Sequence, residues 1–387
     1  MAGSEMAGAA AGVAGIDDVV ALIERQRAEG LHAGAQLYVS LWGEVVCDVA
    51  VGEARAGRAL RSDDLMLWYS STKPLTAVAV AQLLERGVLA LDDEVGRYVA
   101  GWGGGKERCT VRHVLTHMGG FAQAETFDDD ISWDEAVARI AAHRAAYPPG
   151  TWASYHATSG WKILGEIVRV VDGRPIDTYL REEVMAPAGM ASSWLGVPLA
   201  DQDRLGERLV PLHWTGHVMP VMADGAISMQ PYHIEDIHDQ PWHRAKVEPG
   251  AGGRGPASDL GRFYEALLLD HAERLFRRPL TLDLLTACHR SGVLDRIFLS
   301  SPPWGLGVQI AGSMSGTIGY RAFGHSGMAS SRGLCDPVEG LVMVFVCNGL
   351  TGPIENRNRM TDVTNAVYAA LCPEPKGPRV APAVALS

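Results

Sequence analysis

The sequence predicts an α/β (α+β) protein: an antiparallel sheet built from both chain ends, flanked by helices, with a mostly helical domain inserted between them. Three observations carry that reading. Residues 34–51 form two β-rich runs with alternating character around a Gly43-Glu44 turn, the pattern of a hairpin. Residues 340–348 are a near-continuous apolar run, as in a strand covered on both faces. The intervening patterns are helical, and strands at both ends with helices between imply one sheet assembled from both termini. With 387 residues, 47% of them hydrophobic, the chain is long enough for a large core.

In chain order, residues 1–15 are Ala/Gly-rich and read as disordered, without the basic start and hydrophobic block of a secretory signal. Residues 16–27 read as a helix and 34–51 as the hairpin. Residues 75–84 are an apolar helix, and 111–120 a short helix closed by glycine. Residues 132–144, 160–171, 259–269 and 280–289 also read as helices. The stretch 199–255 lacks periodicity and reads as long loops, which in a compact domain are functional or mobile. Strand character returns at 305–310, 320–323 and 340–348, before a closing helix over 361–371 and a loose Pro-rich tail. The expected domains are therefore 16–95 with 295–372 around the sheet, and 96–294 as the helical part with loops over the site. Residues 373–387 form the tail.

A net charge of −11 with no run of Lys or Arg argues against nucleic acid and anionic membranes as partners. No stretch approaches the roughly 18 consecutive apolar residues of a membrane span. The six cysteines are scattered with no Cys-x-x-Cys, which suits reduced core residues in a cytoplasmic protein.

The chemistry centres on Ser70-Ser71-Thr72-Lys73 at the mouth of the apolar helix. Residues three apart on a helix share a face, so the Ser70 hydroxyl and Lys73 amine can meet. A serine needs such a base to become a nucleophile. The helix is apolar nearly all round and so belongs in the protein interior. Burial lowers an amine's pKa and fits it to accept a proton near neutrality.

Other motifs are weaker. His113 and His117 stand four apart, but no Glu follows His113 as in a zinc-protease helix. His213, His217, His233, His238 and His243 lie in the long segment without Cys or paired carboxylates at ligand spacing, so no metal is assigned. Gly250-x-Gly252-x-x-Gly255 follows Glu248-Pro249 instead of an apolar strand and reads as a turn.

Taken together, several ordered motifs resemble the serine β-lactamase-like superfamily over about residues 16–370. The branch is that of class C β-lactamases and family VIII esterases, which also holds D-aminopeptidases, penicillin-binding proteins and acyltransferases of the lovastatin acyltransferase type. Ser70-Ser-Thr-Lys73 is similar to the Ser-x-x-Lys motif, Tyr155-His-Ala157 stands where the family has Tyr-x-Asn, and His325-Ser326-Gly327 stands where β-lactamases carry Lys-Thr-Gly. The resemblance implies a β-lactamase/transpeptidase-like fold and an acyl-enzyme on Ser70. It makes Lys73 and Tyr155 the proton-transfer pair, in an order the sequence leaves open. The Ser70 and Met328 backbone N–H groups become the oxyanion hole, and no cofactor or metal is implied. His325, Ser326, Gly327, Ala157 and the loop residue Trp152 become substrate-binding candidates. The absence of Gly-x-Ser-x-Gly argues against an α/β-hydrolase.

Two departures bear on substrate. His325 removes a fixed positive charge that meets the β-lactam carboxylate, and Ala157 removes an amide partner. The expected function is a carboxylesterase acting on a small-molecule ester with water. The alternative is an acyltransferase serving a small-molecule alcohol or amine, with Trp214, Tyr232, Trp242 and Trp152 forming a lid. Amide or D-peptide hydrolysis, β-lactam hydrolysis and a non-catalytic binder stand behind these.

Overall fold

The computed structural model describes residues 15–223, 226–269, 272–328 and 330–381; the expected disorder of residues 1–14 and the tail beyond 381 lie outside the described residues. Seven strands form the central sheet: β1 (Gly34–Leu41), β2 (Glu44–Arg55), β3 (Arg58–Ala59), β4 (Gln309–Ile310), β5 (Phe323–Gly327), β6 (Ser331–Asp336) and β7 (Leu341–Cys347). Their order is β4-β5-β6-β7-β1-β2-β3, with every neighbouring pair antiparallel. The join between the two chain ends is the β1–β7 pair, in register from Ala35 opposite Cys347 to Leu41 opposite Leu341.

Five helices matter for the site: α1 (Ile16–Ala28), α2 (Lys73–Glu85), α3 (Ser159–Asp172), α4 (Ala257–Leu268) and α5 (Pro353–Leu371). Side chains alternate across a strand, and the two apolar clusters divide accordingly. Leu37 and Val39 of β1 and Met343 and Phe345 of β7 pack with α1 and α5. Tyr38 of β1 and Val342, Val344 and Val346 of β7 face the other way, toward α4 and the apolar α2. Helix α2 is buried from Lys73 through Leu83, so its lack of a polar face is explained by protein on all sides.

Several elements differ from expectation for identifiable reasons. Helix α5 begins at Pro353, not 361, because its first turns (Ile354-Glu-Asn-Arg-Asn-Arg359) are too polar to show an apolar stripe. Only Gln309–Ile310 of the 305–310 run is strand; Gly307 just before it is left-handed (φ 75°). The strand expected at 320–323 starts at Phe323 and continues through Gly327, where Gly, His and Ser carry little intrinsic strand preference. The 111–120 helix is shorter, Val111–Leu115, and stops three residues before the glycines as His117 turns left-handed. The 199–255 stretch is folded into short pieces: helices Leu199–Leu205, Glu235–His238 and Pro241–Ala245, a hairpin of Val218–Ala223 with Ala226–Pro231, and strands His213–Trp214 and Gly253–Gly255. In the tail, Arg379–Val380 pairs with Ile318–Gly319. All six cysteines are free thiols and five are buried, but Cys288 is exposed. Among the described residues no helix is long and apolar enough to cross a membrane.

Candidate active site

Ser70 sits in a single 3₁₀ turn, Tyr69–Thr72, that runs straight into α2. Tyr69, which opens the turn, is held at φ 47°, a left-handed conformation that a non-glycine residue adopts at a cost of about 1–3 kcal/mol. Packing from two directions holds the turn there. From the sheet, Ser71 Oγ donates to the His325 carbonyl at 3.0 Å, and Ser331 Oγ donates to the Trp68 carbonyl. From the opposite side comes a strap over residues 249–255. Thr76 Oγ1 donates to the Pro249 carbonyl (2.8 Å), Gly253 N to Thr72 Oγ1 (3.0 Å) and Trp68 Nε1 to the Gly255 carbonyl (3.0 Å).

The glycines of that strap now have a physical explanation. A Cβ on Gly253 would come within 2.6 Å of Thr72 Oγ1, one on Gly255 within 2.6 Å of the Trp68 ring, and one on Gly250 within 2.8 Å of Trp161. The glycines that match a dinucleotide fingerprint reflect close backbone packing instead, Gly250 against Trp161, Gly252 against Glu248 and Gly255 against the Trp68 ring.

Ser70 Oγ lies 2.9 Å from Lys73 Nζ and 2.9 Å from Tyr155 Oη. Lys73 is fully buried, and its other two hydrogen bonds go to the carbonyls of Ala157 (2.6 Å) and Gly250 (2.7 Å). Burial pushes its amine down to about 7, against the opposing pull of the Glu125 and Glu248 carboxylates. A neutral amine has two N–H donors and one lone pair. The two carbonyls take the donors, which leaves the lone pair facing the serine hydroxyl. Burial pushes the Tyr155 phenol the other way, well above its ordinary value, so it is a neutral donor.

Tyr155 is positioned from behind. Its backbone N–H donates to the buried Asp295 carboxylate (3.2 Å), and its ring lies 4.7 Å from the His117 ring and 4.9 Å from Phe298. His117 Nδ1 accepts the His156 N–H at 3.1 Å, which places the His117 proton on Nε2. His113 closes a capping box with Thr110. Both histidines thus have structural partners here.

A Cβ on Gly327 would collide with the Trp68 carbonyl, so β5 ends directly against the turn and the Met328 N–H follows on from it. His325 is buried, its ring centroid 6.2 Å from Tyr155, with Nδ1 2.8 Å from the Ser326 carbonyl. Burial and the neighbouring Lys73 hold its imidazole well below the ordinary value, hence neutral at pH 7. Ser326 accepts from Arg332, whose guanidinium is also engaged by Ser315 and Thr364. Ala157 contributes its carbonyl to Lys73, and Trp152 is exposed against Arg296 on the tyrosine loop.

Residue reasoning from sequence missed Glu125. Its carboxylate accepts from the backbone N–H groups of Ala157, Thr158 and Ser159 (3.1, 2.9 and 3.0 Å) and from the Thr158 hydroxyl. It thereby fixes the loop carrying the Ala157 carbonyl. No motif marks it, because most of its partners are main-chain groups.

Known proteins resemble this chain over most of its length. The family model described as Beta-lactamase matches residues 19–365. The chain is similar to the esterase/beta-lactamase LipL of Mycobacterium tuberculosis, 30% identical over 83% of this chain and 78% of that protein. It is also similar to esterase EstB of Burkholderia gladioli, 28% identical over 90% of this chain and 94% of that one. Among solved structures, a family VIII carboxylesterase superposes with a TM-score of 0.78 at 26% identity, covering 95% of this chain and all of the other (100%).

Proposed function

The chain belongs to the Beta-lactamase family, and from that premise we propose that it is a serine carboxylesterase acting on a small-molecule ester, with Ser70 as nucleophile, Lys73 as first base and Tyr155 as proton donor. The observation that carries this reading is the placement of Ser70 Oγ at 2.9 Å from both partners. The Ser70 oxygen bonds to the ester carbonyl carbon as its proton passes to Lys73 Nζ. The developing oxyanion faces the N–H groups of Ser70 and Met328, donors of a kind worth about 2.7–4 kcal/mol each in related chemistry. Collapse breaks the ester C–O bond, and the alcohol leaves with a proton delivered through Tyr155 Oη. A water then adds to the acyl-enzyme carbonyl as Lys73 Nζ takes its proton; collapse breaks the Ser70 Oγ–C bond, the proton returns to Ser70 Oγ, and the acid is released.

A neutral ester is favoured over a carboxylate-bearing substrate by the charges at the strand. His325 is neutral and buried, and Arg332 is engaged by Ser326, Ser315 and Thr364. No free cation on β5 or β6 is thus left to meet an anionic group.

Incubation with a fluorophosphonate should add its phosphonyl group to Ser70 with loss of fluoride, and p-nitrophenyl esters should be turned over far faster than a chromogenic cephalosporin. An unlabelled Ser70 in an inert protein would refute the enzyme assignment. An alcohol that captures the acyl group in preference to water would reassign it as a transferase.

A further inference from the structure

Behind the nucleophile turn lies a second cluster of side chains that plays no part in the chemistry above. Asp128, His238 and His243 converge there, with one ligand atom from each within 4.8 Å of the others. Asp128 Oδ1 is 2.8 Å from His238 Nε2 and 3.8 Å from His243 Nε2. The two imidazoles stack with centroids 4.3 Å apart, and Phe127 packs on both. His243 is only 4% exposed, and its Nε2 has no hydrogen-bond partner although it points into the cluster. A buried ring nitrogen left without a partner is costly and calls for an explanation.

We propose that Asp128, His238 and His243 bind a divalent transition-metal ion, with zinc the best match. Two imidazoles and one carboxylate are a common three-ligand set for zinc, with a fourth position left to water. Tetrahedral bonds near 2 Å set neighbouring donor atoms about 3.3 Å apart, and the 2.8 and 3.8 Å separations bracket that value. The Asp128 side chain is 42% exposed, which supplies a route for the ion and room for its water.

Two cations, the buried Arg254 and the half-buried Lys246, stand close by and oppose a tight site. Arg254 donates to the His238 carbonyl (2.9 Å), and Lys246 donates to the carbonyls of Thr126, Phe127 and Asp129. The site is therefore of moderate affinity.

The ion would also reach the catalytic turn. His238 Nδ1 is 2.8 Å from Tyr69 Oη, the residue next to Ser70. A histidine that binds metal through Nε2 carries its proton on Nδ1, so the metal fixes that tautomer and the ring orientation. Three parts of the chain, around residues 128, 240 and 69, are then tied at one point.

The test uses chelator-treated full-length protein titrated with Zn²⁺ by calorimetry and with Co²⁺ followed by visible absorption. The expected result is stoichiometric uptake, the visible bands of imidazole-bound Co²⁺, and a Tm that rises with Zn²⁺. Asp128→Asn and His243→Ala should each weaken uptake at least about tenfold, while the control His233→Ala, at an exposed histidine, keeps it. Asp128→Asn is a half-exposed, near-isosteric change and decides the matter should His243→Ala not fold. Absence of uptake by wild type, or uptake unchanged in Asp128→Asn, overturns the proposal.

Discussion

Lys73 Nζ donates to the carbonyl oxygen of Gly250 at 2.7 Å, bonding the start of α2 to a strap 177 residues further along the chain. With the Ala157 carbonyl it fixes how the amine turns its lone pair. Replacing Lys73 with Met retains the volume and removes the base. We expect kcat to fall about 10²–10⁴-fold. Two carbonyls then lose a donor, at about 1–3 kcal/mol each at most, while a buried amine no longer needs desolvating. Steady-state kinetics and a melting curve together check this: a near-normal kcat in a folded variant would remove Lys73 from its role.

The same amine sets a pH dependence. It acts as a base only when neutral, so kcat/KM should rise with pH through a limb at about 7. Its folded value lies below the ordinary lysine value, so the unfolded chain holds the extra proton between the two. Stability should therefore rise with pH from about 7 toward the ordinary lysine pKa, as far as this group is concerned. Initial rates across that range, compared with denaturation midpoints, measure both trends.

Tyr155→Phe keeps the ring against His117 and Phe298 and removes only the hydroxyl 2.9 Å from Ser70. A loss of about 10²-fold or more in kcat is expected, with the fold intact by circular dichroism. A variant still at full rate would show that leaving-group protonation comes from elsewhere.

His325→Lys restores a fixed charge on β5 beside Lys73. Like charges disfavour one another, so the Lys73 amine should titrate lower and the limb near 7 should move toward acid. Esters carrying a carboxylate should gain in kcat/KM relative to neutral ones. The paired pH profiles and substrate comparison test this directly.

Gly253→Ala places a methyl 2.6 Å from Thr72 Oγ1 and 2.8 Å from the Trp68 ring. Overpacking of this kind costs about 1–3 kcal/mol, and here it displaces the nucleophile turn as well. Both Tm and kcat should drop, whereas Gly57→Ala in an open turn should lower Tm without touching kcat.

Much of this architecture is legible in the sequence because it is written in local patterns. The β1–β2 hairpin, the apolar β7 and the polarless α2 follow from periodicity, and Ser70 with Lys73 from spacing along one turn. What escaped reading depends on partners distant in sequence. Glu125 acts on main-chain N–H groups, Gly250 acts through its carbonyl, and β5 is held as a strand by its neighbours despite its Gly, His and Ser. His238 and His243 carry no ligand spacing with Asp128, which arrives from more than a hundred residues earlier.

The pairing of β1 with β7 has a consequence for synthesis. Ala35 finds its partner in Cys347, and Ser71 its carbonyl in His325. Both contacts wait until the chain has been made past residues 325 and 347. Contacts so far apart in sequence form late and slowly. Nascent chains should therefore carry Ser70 through roughly 250 further residues of synthesis without the frame that aligns it, and activity should emerge in one step when β5 and β7 dock.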